Sequence, residues 1–187
     1  RVKDYRLSQL QRMPNLSLYP GSEMDADMIA DFAADHVLLA TGAPWRGDGA
    51  GRTRLSAIPG FSGRALSPDD LMAGAPVEGP VVIYDDDHYY MADAVAADLA
   101  ARGHAVHLVS PQPTIAPWIG HTLEQPRIIA ELLAAGVRMT PNASAVAWRG
   151  DRLSIARTDT GEDLPDVPGR TLVIVGTRLL TRRFPSG

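Results

Sequence analysis

Cysteine is absent from all 187 residues. That excludes disulfides, thiol nucleophiles and thiolate ligation of an iron–sulfur cluster by this segment. Long apolar runs are missing too. No stretch approaches the ~20 residues of a membrane span, and no signal-peptide pattern opens the chain, so a cytoplasmic location is expected. Excess positive charge is also lacking: the net charge is −4, which argues against nucleic acid and anionic membranes as partners. There is no P-loop and no low-complexity segment. What is present is ordinary for a globular protein, with 45% apolar and 21% charged residues. A chain of this size buries roughly 70% of its unfolded surface. It opens on Arg1 and closes on Pro-Ser-Gly, and reads as a piece of something longer.

The most informative absence is of glycine at one turn. Val81-Val82-Ile83-Tyr84 is a short β-branched run suited to a strand buried on both faces. Ala92 to Ala101 has helical spacing and stops at Arg102-Gly103. Ala105 to Val109 reads as a second strand. Strand, turn, helix, strand is a βαβ unit with parallel strands. In nucleotide-binding units that first turn is G-x-G-x-x-G, whose glycines let a pyrophosphate approach the helix N-terminus. Here those positions hold Asp85, Asp87 and Tyr90. Asp87 would put a carboxylate where the pyrophosphate should sit. The second strand ends in Ser110, not the acid that holds a ribose hydroxyl. NAD is therefore not expected at this turn. Asp85-Asp86-Asp87-His88 could also be read as cation ligands, but a solvated turn with acids favourable at a helix N-terminus is the simpler reading.

The rest of the chain follows from local signals. Arg1 to Met13 is a helix candidate without an N-cap, Asn15 to Tyr19 a strand candidate, and Asp25 or Asp27 a cap for a helix through Phe32. His36 to Ala43 is expected to be a buried strand entering a glycine turn. Pro44 to Phe61 is loop-like. Ser67-Pro68-Asp69-Asp70 reads as cap, N1 proline and first-turn acids of a short helix to Ala73. Gly74 to Pro80 marks a domain boundary. Thr122 is a plausible cap for a helix from Leu123 to Ala135, followed by a strand at Val137 to Met139. Ala143 to Trp148, Leu153 to Thr158 and Glu162 to Pro165 suggest an antiparallel meander. Thr171 to Val175 is a last buried strand. Leu38–Gly42 and Val173–Gly176 are two apolar strand-to-glycine endings. Arg46, Arg52 and Arg54 could contact phosphates or an acidic partner, or simply be a solvated loop. Trp118 and Trp148 read as core or interface anchors, and Arg182-Arg183 as a charged tail.

Several motifs together carry a resemblance. They are A-T-G-A-P-W-R-G-D-G-A-G-R over Ala40–Arg52, I-P-G-F over Ile58–Phe61, S-P-D-D-L-M-A-G over Ser67–Gly74, Y-D-D-D-H-Y-Y-M over Tyr84–Met91 and H-T-L-E-Q over His121–Gln125. With them the chain resembles the C-terminal region of the trimethylamine dehydrogenase-like flavoproteins, a branch of the old yellow enzyme superfamily that includes dimethylamine and histamine dehydrogenases. The resemblance implies an α/β fold: a Rossmann-like FAD/NAD(P)-binding three-layer domain with parallel sheet and β-meander, plus part of a second such domain. Residues 1–78 would be the partial FAD/ADP-type domain. Residues 79–187 would be the inserted NAD(P)-binding-like domain with a degenerate glycine loop. ADP or FAD would contact Ala40, Thr41, Gly42 and Ala43, with Arg46 beside them. FMN and a 4Fe-4S cluster would lie in an N-terminal barrel outside this sequence. The parent would be a homo-oligomer passing electrons to an electron-transfer flavoprotein. No catalytic and no metal-binding residue is expected in this segment. The alternatives are an NAD(P)H-binding segment of a 2,4-dienoyl-CoA reductase-like enzyme, and an interaction module for an electron-transfer flavoprotein.

Overall fold

A computed structural model describes residues 2–60 and 65–179. Arg1, Phe61, Arg182 and Arg183 therefore lie outside the described residues. The chain divides into two compact units, with the division between Ala40 and Thr41.

The first unit holds α1 (Val2–Leu10) and α2 (Ala26–Asp31), neither with a buried residue. Asp25 caps α2, its carboxylate accepting the Met28 N–H at 2.8 Å. Asn15 to Tyr19 forms no strand, and the buried strand expected at His36 to Ala43 does not form either. Val37, Leu38 and Leu39 are 52%, 95% and 60% exposed. The reason is that a parallel strand needs flanking strands for its backbone groups and a layer over each face. No strand among the described residues pairs with this run.

The second unit is built on a four-stranded parallel sheet. Its strands are β1 (Val81–Asp85), β2 (Val106–Val109), β3 (Arg138–Thr140) and β7 (Thr171–Val175), in the order β3-β2-β1-β7. β1 is central, with Val81 to Tyr84 aligned on Val106 to Val109 on one side and on Thr171 to Ile174 on the other. Alternation along these strands divides two cores. Val81, Ile83, Leu108 and Val173 face α4 (Tyr90–Ala101) and α5 (Gln125–Ala134), packing on Ala92, Ala96, Leu99 and Leu132. Alanine at 92 and 96 lets α4 lie close against the sheet. Val82, Tyr84, Leu172 and Ile174 face the other way, onto Trp148, Leu153 and Ile155. Those belong to the antiparallel meander β4 (Ala143–Trp148), β5 (Arg152–Arg157) and β6 (Asp163–Pro168). The result is three layers: helices, parallel sheet, meander.

Two local readings need adjustment. Ser67 caps α3 (Pro68–Met72) as expected, in a reciprocal box with Asp70. Thr122, however, is no cap. It ends a 3₁₀ turn (Pro117–Thr122), and its hydroxyl donates to the Ile119 carbonyl at 2.9 Å. α5 starts later, with Pro126 in its first turn. Trp148 is a core residue, as read, whereas Trp118 is 44% exposed and stacks on Tyr89 at 5.5 Å.

Candidate functional site

β1 runs out at Asp85, and the next residues turn into α4. The Asp85 carboxylate accepts the backbone N–H groups of Asp87 and His88 at 3.1 and 3.0 Å, which folds the turn back on itself. His88 takes a left-handed conformation, φ +71°, costly for a non-glycine residue and held by the contacts around it.

Asp86 does something different. Its carboxylate accepts the Thr53 N–H through both oxygens at 3.0 Å, and the Arg54 N–H at 3.0 Å. Its carbonyl accepts the Arg52 N–H at 3.3 Å, and its own N–H donates to the Val175 carbonyl at 2.7 Å. His88 Nε2 stands 3.1 Å from Oδ1. The loop around Gly51 is drawn so close that a side chain there would land on the Asp86 carboxylate. Converging backbone N–H groups are a general anion-binding device. In this protein the anion in that device is the chain's own carboxylate. Burial alone would raise the Asp86 pKa, but the bonds from His88, Arg54 and Thr53 outweigh it and hold the group below its ordinary value. Asp86 is therefore charged at neutral pH.

This corrects the solvated-turn reading. Asp85 and Asp86 are fully buried and His88 is 2% exposed. Asp86 is inside because backbone donors from an upstream loop replace water around it, and Asp85 takes the N–H groups of the turn that follows it. It also shifts the obstacle to a pyrophosphate. Asp87, the residue expected to repel it, is paired with Arg52 at 3.2 Å, and Asp85 is the group that takes the turn's own N–H groups, those of residues 87 and 88.

Ala40 ends the first unit, and Thr41, Gly42, Ala43 and Arg46 open the second. Thr41 and Gly42 are exposed and Ala43 is half-buried. Gly42 has φ +75°, with open space where a Cβ would point, so backbone conformation alone requires glycine there. The Arg46 guanidinium is directed to Asp48, at 3.0 Å from Nε and 2.6 Å from an Nη. Arg54 donates to the Ala145 and Ala57 carbonyls at 2.9 and 3.1 Å, tying its loop to β4.

A cavity of about 460 Å³ opens at the head of α4, lined by Trp45, Arg52, Asp87, Tyr89, Tyr90 and Arg178, among others. Arg178 lies over the Trp45 ring at 4.2 Å. Sequence reasoning missed this pairing. Its only sequence signal is that both residues sit beside a glycine turn that closes an apolar run. Also missed was Asp93, which lies on the buried side of α4 at 3% exposure. Among the described residues no helix is long and apolar enough to cross a membrane, and no group of three or more His, Asp or Glu residues is placed to hold a metal ion.

Residues 66–158 match the family model described as the OYE-like second alpha/beta domain. The chain is 31% identical over 142 residues to dimethylamine dehydrogenase of Hyphomicrobium sp. (strain x), covering 70% of this chain and 19% of that protein. Two solved structures are similar across 98% of the chain. One is the 6-hydroxypseudooxynicotine amine oxidase from Pseudomonas geniculata N1, at 36% identity, TM-score 0.89 and 28% of that protein's chain. The other is histamine dehydrogenase from Rhizobium sp. 4-9, at 31% identity, TM-score 0.88 and 29% of its chain. The chain thus spans less than a third of the length of these relatives. With an OYE-like second domain on a three-layer α/β frame and relatives of this kind along its length, the chain belongs to the trimethylamine dehydrogenase-like branch of the old yellow enzyme superfamily.

Proposed function

We propose that this chain is the nucleotide-binding-like region of a flavin-dependent amine dehydrogenase, with a scaffolding and docking role and no chemistry of its own. One observation carries the reading: the N–H groups of residues 87 and 88 in the β1–α4 turn are bound by the Asp85 carboxylate, and Asp86 beside it is clasped by the N–H groups of Thr53 and Arg54. A dinucleotide would have to displace a buried, multiply hydrogen-bonded carboxylate before its pyrophosphate could bind. Such an exchange sacrifices several charge-assisted bonds, each worth about 1.5–3 kcal/mol. NAD(P) does not fit this turn.

The parent enzyme would oxidise an amine on FMN, pass electrons through a 4Fe-4S cluster and deliver them to an electron-transfer flavoprotein. All three redox steps would use residues outside these 187; the absence of cysteine accords with that for the cluster. ADP or FAD would contact Ala40, Thr41, Gly42 and Ala43. Arg46 could reach its phosphates only by releasing Asp48. The test is a calorimetric titration with ADP of the wild-type chain and of a Gly42→Ala variant. The reading predicts weak saturable binding that the variant loses. No difference between the two would remove the 40–43 turn from the account.

A second reading, an NAD(P)H-binding segment, has one observation in its favour. The cavity beside the turn carries Arg52 and Arg178 and aromatic walls, a composition suited to a phosphate-bearing aromatic ligand. It would need the ligand to bypass the N–H groups of the β1–α4 turn, which Asp85 holds.

A further inference from the structure

The cavity at the head of α4, about 460 Å³, lies within the roughly 300–1,000 Å³ usual for small-ligand sites. Its aromatic lining is braced from outside. Trp45 is 4% exposed, and its backbone N–H donates to the Asp69 carboxylate at 3.2 Å. Tyr89 is backed by Trp118 in the stack at 5.5 Å. The Tyr90 hydroxyl donates to Glu124 at 2.6 Å. Side chains fixed in advance lose little freedom when a ligand arrives.

Three charged groups line the same space: Arg52, Asp87 and Arg178. Arg52 is half-exposed and meets Asp87 at 3.2 Å. Arg178 stands opposite Trp45 in an antiparallel bridge, with its guanidinium over the indole at 4.2 Å. Among the described residues its one hydrogen bond is a long one, 3.4 Å to the Ala43 carbonyl, and no carboxylate pairs with it. A guanidinium lying on an indole keeps edge donors for another acceptor. The Trp45 Nε1–H is also buried without an acceptor, a donor that nothing in the protein uses. Tyr90 and Met91, in the first turn of α4, line the cavity as well, and the positive end of a helix adds to the preference for an anion.

The charge count selects which anion. Two guanidinium groups and one carboxylate leave the lining with a single net positive charge. A phosphate monoester brings about −1.5 to −2 near pH 7, more than this lining neutralises. A carboxylate brings a single charge and takes two parallel N–H bonds from an arginine. Aromatic walls favour a ring behind it.

We propose that this cavity binds a small aromatic monocarboxylate, its carboxylate on Arg178 with Arg52 beside it, and its ring against Tyr89 and Tyr90. Such a ligand needs neither the N–H groups that Asp85 holds nor a nucleotide at residues 40–43.

The test is a calorimetric titration of the full chain with sodium benzoate as the probe. Saturable binding in the millimolar range or tighter is expected, and its absence overturns the proposal. Arg178→Met should weaken binding about tenfold or more, as loss of one charge-assisted pair requires; equal affinity overturns it. Asp87→Asn carries the opposite sign. It raises the net charge of the lining by one and should tighten benzoate binding severalfold, which a merely structural role would not do; unchanged or weaker binding overturns the charge argument. This variant decides alone should Arg178→Met fail to fold. Benzylamine, a similar ring of opposite charge, should not bind, and affinity equal to that of benzoate overturns the anion preference. ADP or inorganic phosphate should not displace benzoate. Displacement overturns the monocarboxylate site, whereas failure of ADP to bind at residues 40–43 leaves it standing.

Discussion

Two stretches of this protein are nearly the same sentence written twice. His36-Val37-Leu38-Leu39-Ala40-Thr41-Gly42 and Thr171-Leu172-Val173-Ile174-Val175-Gly176-Thr177 are both apolar runs closed by a glycine turn. The second is β7, with Val173, Ile174 and Val175 wholly buried. The first forms no strand among the described residues and is exposed, Leu38 to 95%. The difference lies in the neighbours. β7 has β1 hydrogen-bonded along its length, helices over one face and the meander over the other. Its end is further pinned where Val175 accepts the Asp86 N–H. Residues 36–40 pair with no strand among the described residues. A hydrophobic run states a need for burial, and other parts of the molecule decide whether that need is met.

Substitutions sharpen the comparison, starting with the largest effect. Ile174→Asp should unfold the second unit, since an unpaired charge in that core costs more than about 4 kcal/mol; loss of the cooperative thermal transition is the readout. Asp86→Ala should cost about 3–5 kcal/mol, because it strands the Thr53 and Arg54 N–H groups and removes a buried charge from its donors; denaturant titration measures this. In the wild type the Asp86 contribution has a defined pH sense. Its folded pKa is lowered, so the stabilisation is present above the ordinary carboxylate range and is lost as pH falls through the folded value. Acid unfolding of Asp86→Asn should therefore lose part of its pH dependence. Leu99→Ala, in the core under α4, should cost about 2–5 kcal/mol by the same titration. Leu38→Asp, the counterpart of Ile174→Asp, should change stability by about 0.5 kcal/mol or less. An effect of several kcal/mol there would show that the 36–42 run is buried after all.

Much of the second unit was legible in the sequence for the same reason that β7 is stable. Val81 to Tyr84 and Thr171 to Val175 are too short and too β-branched to be anything but buried strands. Ala92, Ala96 and Leu99 mark the buried side of α4. The meander announced itself through Arg149-Gly150-Asp151 and Asp159-Thr160-Gly161. What could not be read was everything decided at long range. Three consecutive aspartates look like a solvated turn until the donors that bury Asp86 arrive from Thr53 and Arg54, more than thirty residues upstream. Thr122 looks like a helix cap until the chain closes a 3₁₀ turn over it. The unpartnered oxygens of Asp93 have no sequence signature at all, since an acid in the first turn of a helix is commonplace.

The central claim is that the chain's own carboxylate, Asp85, occupies the N–H groups of the turn that a dinucleotide would need. Calorimetric titration with NADH, with and without Mg²⁺, tests it most directly. The account predicts no saturable heat up to millimolar NADH in either condition. Saturable micromolar binding would contradict it, and binding only with Mg²⁺ would show that the acidic turn holds a nucleotide through a cation.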